Sequence, residues 1–266
     1  MGWLSSKLSG EGHHHNVTGD KDDTADQADF KSAIATDDGS SHADLLSTVD
    51  LPLLAGTGPQ IRYEIAFDAK LSNNLVLKRL DASSNTWNTV YWIEDFEWKK
   101  EPDLVFHDGD RQGPVIGSTI MRKRIHDMTL RLGGGGTLQD HQEDGALLGR
   151  ISQDKKYHDK GYTLSIPTTS GGSRMYHFER TQSTKDGVKG FMGKLAFYNW
   201  LITNVRKETV GLYLENVKGA ISLTRGALTI KPDTLDEESD MTYVLLGLVT
   251  IMERTQRDLL VAIAVT

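Results

Sequence analysis

The sequence predicts a mainly β protein, a closed antiparallel barrel of about twelve strands around a buried hydrophobic C-terminal helix. Short segments of alternating apolar and polar residues begin at Gln60 and continue, separated by turn residues, to about residue 230. They are followed by residues 240–253, whose apolar side chains leave no polar stripe at the helical period. A helix that is apolar all round must be enclosed, and here we expect protein to enclose it.

The predicted helix covers about residues 235–254. Thr234 and Glu237 have the spacing of a capping box, and the acidic residues around them favour the positive end of a helix dipole. The uninterrupted apolar stretch from Tyr243 to Met252 is well short of the ~20 residues that a bilayer-spanning helix needs. We therefore expect a helix buried in protein and no transmembrane segment.

The strands are predicted from alternation and from the turns between them. We expect them at residues 61–68, 74–80, 89–98, 103–107, 113–120, 124–132, 146–152, 161–166, 173–180, 191–198, 207–214, 217–223 and 225–230. A long meander exposes two edges unless it closes, and a closed barrel of about twelve strands has an interior wide enough to need filling. The apolar helix is suited to fill it.

Composition divides the chain into an N-terminal tail, residues 1–58, and a barrel domain, residues 59–266. The tail is rich in Gly, Ser, Asp, Thr and His, which predicts a mostly disordered segment; leucines within 43–54 predict one short docked stretch. The tail carries three basic and ten acidic residues, so it holds the whole formal net charge of -7. The domain is balanced, with no overall attraction for nucleic acid, and any anion site there must be a local patch.

Several functional classes lack their sequence signals. The chain has no cysteine, so it cannot form disulfides or thiolate metal sites, and its first residues lack the apolar core of a signal peptide. Neither GxSxG nor HExxH occurs, and the glycines 133–136 do not open a helix as a dinucleotide loop would. We expect a cytoplasmic protein with no catalytic residues, no metal and no cofactor.

Two segments resemble parts of small tubby-like proteins: Leu104–Gly109 with the following Pro114–Gly117, and the apolar ending Val244–Arg254. Over residues 60–266 the chain resembles the tubby C-terminal-like superfamily, which includes tubby proteins, phospholipid scramblases and plant LURP-one-related proteins. The resemblance implies a barrel closed around a hydrophobic C-terminal helix. It also implies phosphoinositide or membrane-surface binding, as in tubby proteins, or else calcium-linked lipid movement or palmitoyl anchoring, as in scramblases. The absence of cysteine departs from the scramblase pattern.

A cluster of basic residues is the candidate lipid site. Phosphoinositide head groups carry several negative charges, so binding them requires several Arg or Lys side chains that converge on one place. The candidate residues are Arg122, Lys123, Arg124, Lys99, Lys100, Lys155 and Lys156. The alternative interpretation is an exposed strand whose charges protect it from pairing with other chains. We expect a non-enzymatic binding module, peripheral at a membrane, whose partners are anionic phospholipid head groups.

Two alternative functions stay open. On a strand, Asp95 and Glu97 share one face and Glu94, Phe96 and Trp98 the other, a pattern found in carbohydrate-active β-sandwich enzymes and lectins. The same two carboxylates could instead form the solvent face of the strand. The second alternative is a protein-interaction scaffold that contacts its partner through the acidic tail.

Three further motifs are explained better without a lipidation, metal or calcium site. Met1–Ser6 fits the bare myristoylation pattern at Gly2, although Trp3 directly after the glycine is unfavourable for it. His13–His15 lies in a segment with no predicted fixed geometry for a metal. Asp108–Asp110 lacks the spaced oxygen ligands of a calcium loop, so we expect a hairpin turn there.

Overall fold

The structure, a computed structural model, describes residues 54–70, 72–96, 101–122, 127–133, 147–153, 161–186, 188, 198–216 and 223–265, all within the compact unit Thr48–Thr266. The strands are β1 (Ile61–Phe67), β2 (Leu75–Asp81), β3 (Thr86–Asp95), β4 (Leu104–Asp108), β5 (Val115–Met121), β6 (Met128–Leu132), β7 (Leu147–Gln153), β8 (Gly161–Pro167), β9 (Ser173–Arg180), β10 (Trp200–Asn204), β11 (Thr209–Glu215) and β12 (Thr224–Ile230). One long helix, α1 (Asp240–Val265), follows them.

The twelve strands form a closed antiparallel barrel, which confirms the predicted fold class. Each strand pairs with the next in the chain, and β1 pairs with β12, with Ile61 opposite Ile230. Closure therefore leaves no edge strand. The sequence prediction missed β10, because Trp200, Leu201 and Ile202 are consecutive apolar residues without alternation. The predicted strands 191–198 and 217–223 lie, except for Tyr198 and Leu223, outside the described residues.

Helix α1 fills the barrel. All its residues from Tyr243 to Thr255 are buried. The inward side chains of every strand around them belong to one apolar core, among them Ile65, Leu77, Ile93, Phe106, Leu130, Ile151, Leu164, Phe178, Ile202 and Leu228. The enclosure predicted from the apolar sequence is therefore present, and the wall of the barrel supplies it.

Two glycines, Gly117 and Gly247, lie where the helix and the wall are in close contact. A Cβ atom on Gly117 of β5 would lie 3.0 Å from Cδ2 of Leu246 and 2.8 Å from the carbonyl oxygen of Arg131. A Cβ atom on Gly247 of α1 would lie 3.3 Å from Cδ2 of Leu164. Side chains at these positions would push the helix and the wall apart, so glycine sets the spacing.

The helix begins and ends later than the sequence suggested. The hydroxyl of Thr234, which ends a short 3-10 helix (Pro232–Thr234), donates to the carbonyl of Lys231 at 2.8 Å and does not cap α1. The acidic residue in the first turn is Asp240, which is fully buried and accepts hydrogen bonds from Arg174 and, at 2.7 Å, from the hydroxyl of Tyr176. The wall of the barrel, rather than a local capping box, thus holds the start of the helix.

The described residues before β1 pack against the barrel. Leu54 is buried, and its carbonyl accepts a hydrogen bond from the side-chain amide of Gln60 at 2.9 Å. The ammonium of Lys231 donates to the carbonyl of Ala55. The ordered structure therefore includes residues before position 59; residues 1–53, and Gly2 with them, lie outside the described part of the chain.

Leu248→Asp should unfold the protein. Leu248 is fully buried near the middle of the enclosed part of α1, and an unpaired carboxylate there costs at least several kcal/mol. That loss is comparable with the ~5–15 kcal/mol stability of a typical domain. Circular dichroism melting would test this, with Leu260→Asp as the control, because Leu260 lies on the same helix but is 58% exposed. A Leu248→Asp protein that melts like the wild type would contradict the enclosed helix.

Candidate functional site

The barrel has two chemically different ends. All odd-numbered strands run in one direction and all even-numbered strands in the other, because every neighbouring pair is antiparallel. Helix α1 starts near Arg174, at the beginning of β9, and leaves near Asp95, at the end of β3. We call the end of the barrel near Arg174 the entry end and the end near Asp95 the exit end. Connections that follow odd-numbered strands start at the exit end.

Ion pairs surround α1 where it leaves the barrel. Arg225 of β12 binds Glu253 and Gln256 of α1, and the guanidinium of Arg257 pairs with Asp95 and, at 3.2 Å, with Asp103. The side chains of Glu253, Arg257, Asp95 and Asp103 are all less than a tenth exposed. These contacts fix the position of the helix along the barrel axis at this end.

We call these paired side chains of Arg225, Glu253, Arg257, Asp95 and Asp103 the polar layer, and Asp103 makes two kinds of contact within it. One of its carboxylate oxygens accepts the backbone N–H of Met121 at 2.6 Å, and the other accepts from Arg257. Burial raises the pKa of Asp103, and the Met121 hydrogen bond and the Arg257 guanidinium oppose that effect. Arg257 therefore stabilises the buried carboxylate of Asp103, and its removal would leave that carboxylate without its paired cation.

Arg122 links the predicted basic segment to the helix. Its carbonyl accepts a hydrogen bond from Nη1 of Arg254 at 2.7 Å, while its side chain is exposed. Arg254 also contacts Asp258 at 3.0 Å, so the same arginine holds both the end of β5 and the last polar turn of α1. The first cation of the predicted patch therefore stands beside the helix as it emerges.

The other predicted basic residues, Lys123, Arg124, Lys99, Lys100, Lys155 and Lys156, lie outside the described residues. The strand ends that precede their segments are described, and they belong to β3, β5 and β7. All three strands run toward the exit end. The described strand ends that precede these three segments therefore lie at one end of the barrel.

Arg180 is a cation that the sequence analysis did not single out. It is exposed at the end of β9, and its guanidinium carbon lies 5.5 Å from the ring centres of both Tyr198 and Trp200. Stacking of this kind orients an arginine without neutralising it. Trp200 itself is fully buried, and its indole N–H has no acceptor among the described residues. No local sequence pattern indicates this arginine, because Arg180 is not part of a run of basic residues.

The sequences that join strand ends at the exit end and those that join strand ends at the entry end differ in formal charge. The exit-end connections, residues 68–74, 96–103, 122–127, 154–160, 181–199 and 216–223, contain thirteen basic and eight acidic residues, an excess of five positive charges. The entry-end connections, residues 82–85, 109–114, 133–146, 168–172, 205–208 and 231–239, contain four basic and nine acidic residues, an excess of five negative charges. The neutral total that the sequence showed conceals this separation.

The exit end also exposes apolar side chains. After Asp258, helix α1 leaves the polar layer, and Leu259, Leu260 and Val261 are 47%, 58% and 60% exposed. These are large fractions for aliphatic residues that follow one another on a helix beyond a fully buried stretch. Arg122 is near them through its contact with Arg254, so apolar and cationic groups share this surface.

The carboxylates of β3 are arranged differently from the predicted carbohydrate site. The side chain of Asp95 is 3% exposed and pairs with Arg257, so it faces the barrel interior and is not part of a solvent face. Glu97 and Trp98 lie outside the described residues. The described part of this strand thus gives Asp95 a structural role as the counter-ion of a buried arginine.

Comparison of the chain with models of protein families gives no match, and comparisons with curated proteins and with solved structures give none either. Among the described residues, no helix is both long enough and apolar enough to cross a membrane. Within the same part of the chain, no group of three or more His, Asp or Glu side chains is arranged to hold a metal ion.

Arg257→Ala should destabilise the protein by about 3–5 kcal/mol at pH 7, because it leaves Asp95 and Asp103 buried without their cation. Folding raises the pKa of Asp103, so this carboxyl group holds its proton more tightly in the folded state than in the unfolded state. The loss should therefore grow as the pH rises above about 4, the unfolded pKa of Asp, and shrink as the pH falls toward it. Urea unfolding at pH 4 and pH 7 measures both effects.

The matched control for this experiment is Arg206→Ala. Arg206 also pairs with two carboxylates, Glu208 and Asp236, but its side chain is 54% exposed. Solvent screens such a pair, so the free energy of unfolding should change far less. Equal losses for the two variants would show that the exit-end ion pairs do not hold the helix.

Proposed function

We propose that this protein is a non-enzymatic module that binds anionic phospholipid surfaces through the exit end of its barrel. The separation of charge between the two ends carries the proposal. The sequences that join strand ends at the exit end contain five more basic than acidic residues, which favours attraction to a negatively charged membrane; those at the entry end contain five more acidic than basic residues, which favours repulsion. The protein is thereby oriented with the exit end toward the lipid.

The expected free energy of membrane binding is large enough to measure. A basic residue near an anionic leaflet contributes about 1 kcal/mol, and the effect extends over about one Debye length. The exit-end connections hold thirteen Lys and Arg residues. A few of them in simultaneous contact with lipid would be sufficient for reversible peripheral binding. Arg122 is a described member of this set, and Arg180 ends β9 directly before one of these connections; both residues are exposed.

Phosphoinositides are the proposed preferred head groups. They carry more charge than phosphatidylserine and present phosphate oxygens, which guanidinium groups bind in a bidentate manner. Arg180 is held against Tyr198 and Trp200 with its charge unpaired by any described carboxylate. That arrangement keeps a guanidinium available for a phosphate.

We also propose that the chain is a member of the tubby C-terminal-like superfamily and acts in the cytoplasm. The observation that supports membership is the architecture, because the resemblance implied a barrel closed around its C-terminal helix and the barrel has that form. Phosphoinositide binding is what the resemblance to tubby proteins implies.

Co-sedimentation of the full chain with vesicles tests the proposal. Binding should be weak for phosphatidylcholine alone, rise with added phosphatidylserine, rise further with a phosphoinositide, and fall between low and physiological salt. The double variant Arg122→Glu and Arg180→Glu should bind phosphoinositide vesicles at least about tenfold more weakly, since two contacts of ~1 kcal/mol each become repulsive.

The control variant is Lys207→Glu, which reverses an exposed charge at the entry end. It should leave vesicle binding close to that of the wild type. The proposal fails if the full chain does not bind anionic vesicles, or if Lys207→Glu weakens binding as much as the double variant does.

A further inference from the structure

We propose that the exposed end of α1, Leu259–Val261, inserts into the apolar interior of the membrane that the exit end binds. This inference rests on the proposed function and adds an apolar contact to an electrostatic one. The three side chains are 47%, 58% and 60% exposed. They follow directly after a helical stretch that is buried through Thr255.

The length of the helix end suits shallow insertion. Residues 259–265 are all apolar and all belong to α1. Seven helical residues span about 10 Å, less than the ~15 Å of one leaflet of a ~30 Å hydrocarbon core. The end of the helix therefore reaches into one leaflet and does not cross the bilayer.

The charges around the helix end favour one contact partner over another. The exposed residue Arg122 is linked to the helix through Arg254, and the sequences that join strand ends at that end of the barrel contain five more basic than acidic residues. If two copies met through their helix ends, the same positive charge would face itself across the contact. An anionic membrane instead supplies an apolar interior for the leucines and a negative surface for the cations. Membrane attachment commonly combines two such signals.

A single-cysteine probe tests insertion directly. The chain contains no cysteine, so Leu260→Cys in the full chain provides one site for an environment-sensitive fluorophore. With vesicles of phosphatidylcholine and phosphatidylserine, the emission should shift to the blue and be lost when the lipids carry brominated acyl chains. The control is Thr169→Cys, at an exposed turn of the entry end, whose emission should not change.

A charge substitution provides the second test. Leu260→Asp should weaken vesicle binding at least about tenfold, because a carboxylate is excluded from the hydrocarbon. The matched control is Leu148→Asp, which changes a leucine of similar exposure, 49%, on β7. It should leave vesicle binding close to that of the wild type. Both positions are exposed, so neither variant should lose its fold.

The outcomes separate the two proposals. If the full chain binds anionic vesicles in a salt-dependent way but the probe at position 260 stays in water, the insertion proposal is overturned and the proposed function stands. If the chain does not bind, both fail. If the probe changes with protein concentration in the absence of vesicles, the helix end contacts a second copy of the chain, and insertion into lipid is overturned.

Discussion

The barrel and helix α1 require each other, because the barrel encloses the helix and the helix fills the barrel. Tyr243 to Thr255 are buried on all sides, and every strand contributes inward side chains to the same core. Burial of one large apolar side chain contributes roughly 1.5–3 kcal/mol, so the two partners stabilise each other strongly. A barrel of twelve strands without a filling would hold a large apolar cavity, and an isolated α1 would expose its apolar surface to water. The two elements are therefore expected to fold together.

Enclosure also determines where charge and apolar surface appear. Buried ions need partners, so Asp240 pairs with Arg174 at one end of the helix, and Arg257 pairs with Asp95 and Asp103 at the other. These pairs fix the helix along its axis. Because α1 continues to Val265, its last turns lie beyond the polar layer, and Leu259 to Val261 are exposed there. The candidate surface is thus a geometric consequence of a helix longer than its enclosure.

Sequence reasoning located only part of this surface. Arg122 was predicted because it belongs to a compact run of cations, a signal that composition alone reveals. Arg180 was missed, because the two rings that orient its guanidinium, those of Tyr198 and Trp200, lie far from it in the sequence. Asp95 was considered for the surface of a strand, yet its carboxylate is turned inward toward Arg257. Strand alternation predicts which residues share a face. It does not predict which of the two faces is turned toward a buried cation on another element.

The fold class follows from the sequence alone, because the period of hydrophobicity is a local property: alternation defines strands, and an unbroken apolar segment defines an enclosed helix. The sequence also determined the absence of thiol chemistry and the acidity of the tail. Which strand ends lie together depends on the tertiary structure. The direction of each strand assigns its two ends to the two ends of the barrel, and the connecting sequences are net basic in one set and net acidic in the other. Charges far apart in the chain become neighbours through pairing, and no count along the sequence contains that information.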